Sequence, residues 1–174
     1  MGLPQRTEAA SFYFTYIDRI SGDNILEAMR AQLDDTVGFL AGISEERSLY
    51  RYAPDKWSIR QVMNHVNDTE RVFAFRAMWF ARGFSDPLPS FDQNVASKAA
   101  QADAHSLASY AQEFRNVREA TLSLFWNLSL EAWTRSGVAS GNAVTVNALA
   151  YIIAGHLAHH VAVLRERYLP LSRD

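Results

Sequence analysis

The chain has 174 residues, of which 48% are hydrophobic, 12% aromatic and 21% charged, with only eight Gly and five Pro. That length suits one domain spanning residues 1–174, able to bury roughly 70% of its unfolded surface. Seventeen Lys and Arg against nineteen Asp and Glu give a net charge of −2, so there is no broad basic field to attract nucleic acid or an anionic membrane. The absence of Cys removes disulfides, thiolate ligands and a cysteine nucleophile together; any thiol chemistry needs sulfur from a substrate.

The N-terminus MGLPQRTEAASF lacks the apolar core of a signal peptide, and no later apolar run reads as long enough to cross a bilayer, so a cytoplasmic location is expected. Residues 8–20 are too aromatic for a solvated tail; Phe12, Tyr13, Phe14, Tyr16 and Ile17 predict a short helix or an extended arm packed on the body of the protein. Asp23 or Asn24 caps a first main helix over about 24–41, whose Leu26, Met29, Leu33, Val37 and Leu40 follow three-four spacing. Gly42 closes it.

Pro54 makes the stretch before Trp57 irregular. Ser58 with Gln61 three residues on reads as a capping box opening a second helix over about 58–82, stopped by Gly83. The next twenty or so residues carry Pro87 and Pro89 with little periodicity and read as a long loop, either a lid or a crossover. A third helix follows over about 104–128, with Leu107, Tyr110, Phe114, Val117, Thr121, Leu124 and Leu128 as its inward stripe. After the break SGVASGN, Thr145 caps a fourth helix over about 145–168, terminated by Pro170. Four amphipathic helices and no strand pattern predict an all-α four-helix bundle, and the long links after helices one and two permit crossover connections. The basic pairs Arg115 with Arg118 and Arg165 with Arg167 read as solvated helix faces.

The chemistry is carried by histidine. His65 falls in the same arc of helix two as Val62, Val66 and Phe73, and His156 and His160, four residues apart on helix four, share a face with Leu149, Ile152 and Val163. Three inward imidazoles without partners are costly to bury, by on the order of several kcal/mol. A divalent metal would accept all three lone pairs and keep an open position for water or substrate. The third ligand helps only if helices two and four pack together, so spacing alone leaves a metal site and hydrogen-bonded core histidines both open. Zinc or nickel is expected first, with iron and manganese also open, since imidazole suits several ions.

His159 sits at the edge of the inward arc and reads as a rim residue, whereas His105 reads as solvated. Asp68, one turn after His65, is a candidate to orient an imidazole or accept a proton, against the plainer reading of a solvated carboxylate beside Thr69 and Glu70. Trp57 and Phe91 are candidates to wall a pocket, although burial in the core is the commoner fate of an aromatic.

Pro54-x-x-Trp57-Ser58, His65 with Asp68-Thr69-Glu70, the segment from Pro87 to Asp92, and His156-x-x-His159-His160 together resemble the DinB/YfiT-like superfamily over nearly the whole chain. The resemblance implies a four-helix bundle with an unusual crossover and a divalent metal held by His65, His156 and His160. It implies nothing about DNA binding, despite the superfamily's name. Some relatives are thiol-dependent transferases or isomerases, others are described as metal-dependent hydrolases, and many have no known activity.

Three functions follow as expectations. The first is a metalloenzyme acting on a small-molecule substrate, with water as nucleophile in a hydrolase or a low-molecular-weight thiol in a transferase. Hydrolysis is ranked ahead because no basic cluster near the histidines marks a thiol-cofactor pocket. The second is a non-enzymatic metal-binding stress-response module. The third is a bundle acting through an interface, as in a homodimer, which rests on the habits of the family.

Overall fold

Each long helix begins at a side chain that satisfies its first free backbone donors. The computed structural model describes residues 1–169. A short helix α1 (Phe14–Ile17) precedes α2 (Ile25–Ala41), α3 (Ile59–Ala81), α4 (Gln93–Ala100), α5 (Leu107–Trp126) and α6 (Leu130–Thr134); strands β1 (Ser136–Ala139) and β2 (Asn142–Thr145) then lead into α7 (Val146–Val163) and a π turn over Leu164–Tyr168. Asn24 caps α2, and Ser58 and Gln61 form the reciprocal capping box of α3. Ser106 and Thr145 cap α5 and α7. The predicted boundaries hold within a few residues; α5 starts later than expected because Ala102–Ala104 forms a separate 3-10 turn before its cap. The predicted Pro170 stop lies outside the described residues.

The four long helices α2, α3, α5 and α7 are the predicted bundle, packed as the ring α2–α5–α3–α7. Consecutive helices α2 and α3 therefore sit across the bundle from each other, as do α5 and α7. This is the crossover topology, and it makes α3 and α7 direct neighbours. Every residue of α7 from Val146 to Leu157 is buried, as expected of a helix that is apolar all round. Contrary to expectation, Val146–Tyr168 is long and apolar enough to cross a membrane, but 67% of its most apolar window is buried inside the bundle, the signature of a core helix.

Two segments read as irregular are ordered. The break SGVASGN is an antiparallel hairpin with Ser136 opposite Thr145 and Ala139 opposite Asn142, turned through Ser140 and Gly141, both at positive φ, which matches strand twist. The long loop after α3 joins it: the Leu88 amide donates to the Val138 carbonyl at 2.9 Å and the Ser140 amide to the Leu88 carbonyl at 3.1 Å. Arg76, buried on α3, clamps both by donating to the Pro89 carbonyl and the Ser140 hydroxyl, each at 3.0 Å. Asp92 caps α4, which packs on α3. The segment is thus a pinned crossover.

The pair read as a solvated basic face is half wrong. Arg118 has no exposed side-chain surface, and it makes a two-pronged ion pair with buried Glu70 at 2.9 and 2.8 Å. Its remaining nitrogen reaches Gln32 at 3.0 Å, and Gln32 donates to the Ala154 carbonyl at 3.0 Å. Replacing Arg118 by Met strands a buried carboxylate, so urea denaturation should show a loss of about 3–5 kcal/mol. A double replacement with Glu70→Leu should recover a large part of it, because the stranded charge goes too.

The aromatic N-terminal segment packs on the bundle, with Tyr13, Phe14 and Ile17 buried and α1 against α7, but Phe12, expected inside, is 51% exposed. Gly155 allows this close approach, since a Cβ there would run into the Tyr16 backbone carbonyl. Gly155→Ala should therefore destabilise the protein by about 1–3 kcal/mol, measured as a fall in urea midpoint with unchanged slope.

Candidate functional site

His65 is set by the straight run of α3, and His156 and His160 by one turn of α7. Because these helices are neighbours, the three side chains converge. His65 Nε2 lies 3.1 Å from His156 Nε2, and His160 Nε2 also lies 3.1 Å from His156 Nε2. The ligand atoms of all three lie within 4.8 Å of one another, the one such cluster of metal-binding groups among the described residues. A tetrahedral zinc with nitrogen ligands at 2.0–2.1 Å has an edge of about 3.3–3.4 Å, close to the two 3.1 Å separations about His156, so these donors suit a divalent ion.

The site is made of neutral imidazoles. Burial pushes His65 down to about 4. Burial, followed by the neighbouring His65 and His159, pushes His160 down to about 3. His156, 6% exposed, is held well below its ordinary value by burial first and by the other imidazoles second. Each therefore presents a lone pair at neutral pH, which a metal requires. Thr69 Oγ1 lies 3.2 Å from His65 Nδ1; with the hydroxyl as acceptor, the proton is fixed on Nδ1 and Nε2 is left free to ligate.

Aromatic rings wall the cluster. Trp57 lies 5.0 Å from His65 between ring centres, and Tyr16 meets His156 edge-on at 5.3 Å and His159 at 5.5 Å. Phe73 packs on His156 from α3 at 6.2 Å. Of the two readings open to it, Trp57 thus takes the walling role. Phe91 does not: it is 38% exposed on the crossover segment and lines none of the cavity beside the histidines. Tyr16 was the missing wall, detectable in sequence only as part of an arm wanting burial.

Asp68 also falls away from the role considered for it. Its carboxylate accepts from Asn64 at 3.0 Å and pairs with Arg71 at 3.5 Å, and Arg71 bridges on to Glu113. One residue beyond the inward arc, Asp68 faces α5, and Thr69 takes the place beside His65. Burial raises its carboxyl despite Arg71. His105 is exposed, as expected. His159 sits at the rim, outside the converging trio but lining the cavity, its imidazole lowered by burial and then by Arg19 and Arg167.

That cavity, about 400 Å³, opens from His160 to solvent between Trp57, Tyr168 and the turn before α3. Burial pushes the Tyr168 phenol up to about 12, keeping it a donor to the Trp57 carbonyl at 2.7 Å. The cavity also carries Lys56 and Arg167, so the histidines do have basic neighbours. The sequence hides them, because one precedes α3 and the other follows α7.

The lowered imidazoles set a pH dependence. Between their ordinary value of 6.5 and about 4 the unfolded chain binds protons that the folded site refuses. Stability is therefore full above pH 6.5 and falls as pH drops through that window, by up to about 1.4 kcal/mol per pH unit for each such imidazole. Urea melts of metal-free protein at pH 7.5 and 5 should show the loss, and replacing all three histidines by Gln should flatten it.

A family model described as the DinB superfamily matches residues 28–164. No curated protein matches the sequence. Among solved structures, YfiT from Bacillus subtilis, a probable metal-dependent hydrolase with an unusual four-helix bundle topology, superposes with a TM-score of 0.68 at 16% identity, covering 91% of this chain and 87% of that one.

Proposed function

The chain belongs to the DinB superfamily, and from that premise we propose that it is a metal-dependent hydrolase of a small molecule, with His65, His156 and His160 as the metal ligands. The observation that carries the proposal is the convergence of three Nε2 atoms of neutral imidazoles beside a cavity open to solvent. When bound, a divalent ion in such a three-nitrogen site acts as a Lewis acid that brings water or a thiol to an acidity near neutral. The protein's own groups do the rest. Thr69 fixes the tautomer of His65, Trp57 and Tyr16 exclude bulk water from the ligand side, and the cavity mouth admits substrate at His160. Zinc or nickel heads the range of ions that imidazole favours, with iron and manganese behind. A cytoplasmic setting goes with this reading. A purely structural metal fits less well, because structural zinc is normally closed by four protein ligands and three histidines stand here next to an open cavity.

Thiol transfer is the second reading, and one observation favours it: Lys56 and Arg167 line the cavity, and low-molecular-weight thiols are commonly anionic. Turnover of an electrophile and ester panel by metal-loaded protein separates the two. Metal-dependent turnover without thiol supports hydrolysis, and an absolute thiol requirement supports transfer. Metal analysis of purified protein should give one ion per chain. His160→Ala should lose most of it, while Asp68→Asn, whose side chain touches none of the three ligands, should keep it.

A further inference from the structure

Resting on the reading of the histidine pocket as a substrate site, we propose that its mouth is an anion subsite: Arg167 and Lys56 bind a carboxylate or phosphate of the substrate, placing the reacting bond at His160. Both cations line the same cavity as His160 and Trp57. Among the described residues neither is within ion-pair distance of a carboxylate, whereas Arg51 beside them is taken up by Asp103 at 2.5 Å. Among the described residues Asp55 is the only acid lining the cavity, so their wall is net positive before any ion binds at the neutral histidines.

The cations are held in place. Arg167 follows His160 by seven residues, two helical turns, on the side facing the cavity. Its guanidinium carbon sits 5.5 Å from the centre of the Tyr52 ring, and its Nη1 donates to Tyr52 Oη at 3.4 Å. The next residue, buried Tyr168, anchors the π turn through the Trp57 carbonyl and through its own carbonyl, which accepts from Arg47. π turns of this kind recur at functional sites. The loop bearing Lys56 is fixed from both ends: its amide donates to the Ala53 carbonyl at 3.1 Å, and its carbonyl accepts from Arg51 at 2.8 Å. A planar guanidinium that gives one N–H to Tyr52 keeps others to meet two oxygens of one anion, and the lysine supplies a third contact. The cavity is large enough for a small molecule and for little more.

Binding to isotope-labelled, metal-free protein tests this without interference from anions on a metal. The probes are phenyl phosphate, phenylacetate and the neutral phenylacetamide, followed by NMR at the Trp57 indole and the Arg167 side chain. At least one anion should shift both signals and bind about tenfold tighter than the amide, and the better of the two identifies the preferred oxyanion. Arg167→Met should abolish that preference without changing amide binding, and Arg167→Lys should recover part of it. Circular dichroism matching wild type confirms the fold of each variant; Arg167 is exposed. Anions binding no tighter than the amide, or an undiminished preference in Arg167→Met, would overturn the proposal. Metal uptake by the wild type is measured separately: its failure overturns the metal reading while the anion preference stands, and its success without any preference overturns this inference alone.

Discussion

A single buried ion pair ties the bundle together. Arg118 on α5 forks onto Glu70 of α3 and reaches Gln32 of α2, and Gln32 in turn holds the Ala154 carbonyl of α7. All four long helices meet in this network. Two buried charges are expensive, and the expense is offset only because both prongs of the guanidinium and both oxygens of the carboxylate are matched. Such a network accepts one arrangement of the helices and penalises every other, since any slip of one helix strands a charge. It therefore selects the crossed ring over a simple up-and-down hairpin order.

The site depends on that selection. Glu70 lies five residues after His65, and Ala154 two residues before His156, so the network sets the relative height of α3 and α7 next to the histidines. Gly155 lets the N-terminal arm close the other side, bringing Tyr16 onto His156. The result is an aromatic, low-dielectric setting in which imidazoles shed their protons and keep their lone pairs. Two of the three Nε2 separations are 3.1 Å, with His156 common to both, so the imidazoles point their ring nitrogens at one shared space. The same burial that weakens the metal-free site in acid readies it for a cation.

Much of this was legible in the sequence, where local pattern and tertiary structure coincide. The stripes of α2 and α5 and the capping box at Ser58 and Gln61 are short-range signals with one structural meaning, and the spacing of His156 and His160 placed both on the inward face of α7. The rest depends on contacts distant in sequence. Arg118 read as solvated because charged residues usually are, and only its partner Glu70 across the bundle reverses that. The hairpin at Ser136–Thr145 was too short to show alternation, and α4 lay hidden between the prolines and the 3-10 turn. Asp68 was one turn from His65 and so seemed placed to orient it, but a helix advances about 100° per residue, and that angle gave the position to Thr69. The basic wall of the cavity joins residues more than a hundred apart. No composition argument could have assembled it.

X-ray absorption on zinc-loaded protein tests the three-imidazole assignment most directly. Three imidazole nitrogens and one further light ligand from solvent at about 2.0–2.1 Å are predicted, with the imidazole scattering reduced to two rings in His65→Ala. A fourth imidazole, such as His159, closing the coordination sphere, or the same spectrum in wild type and His65→Ala, would contradict it.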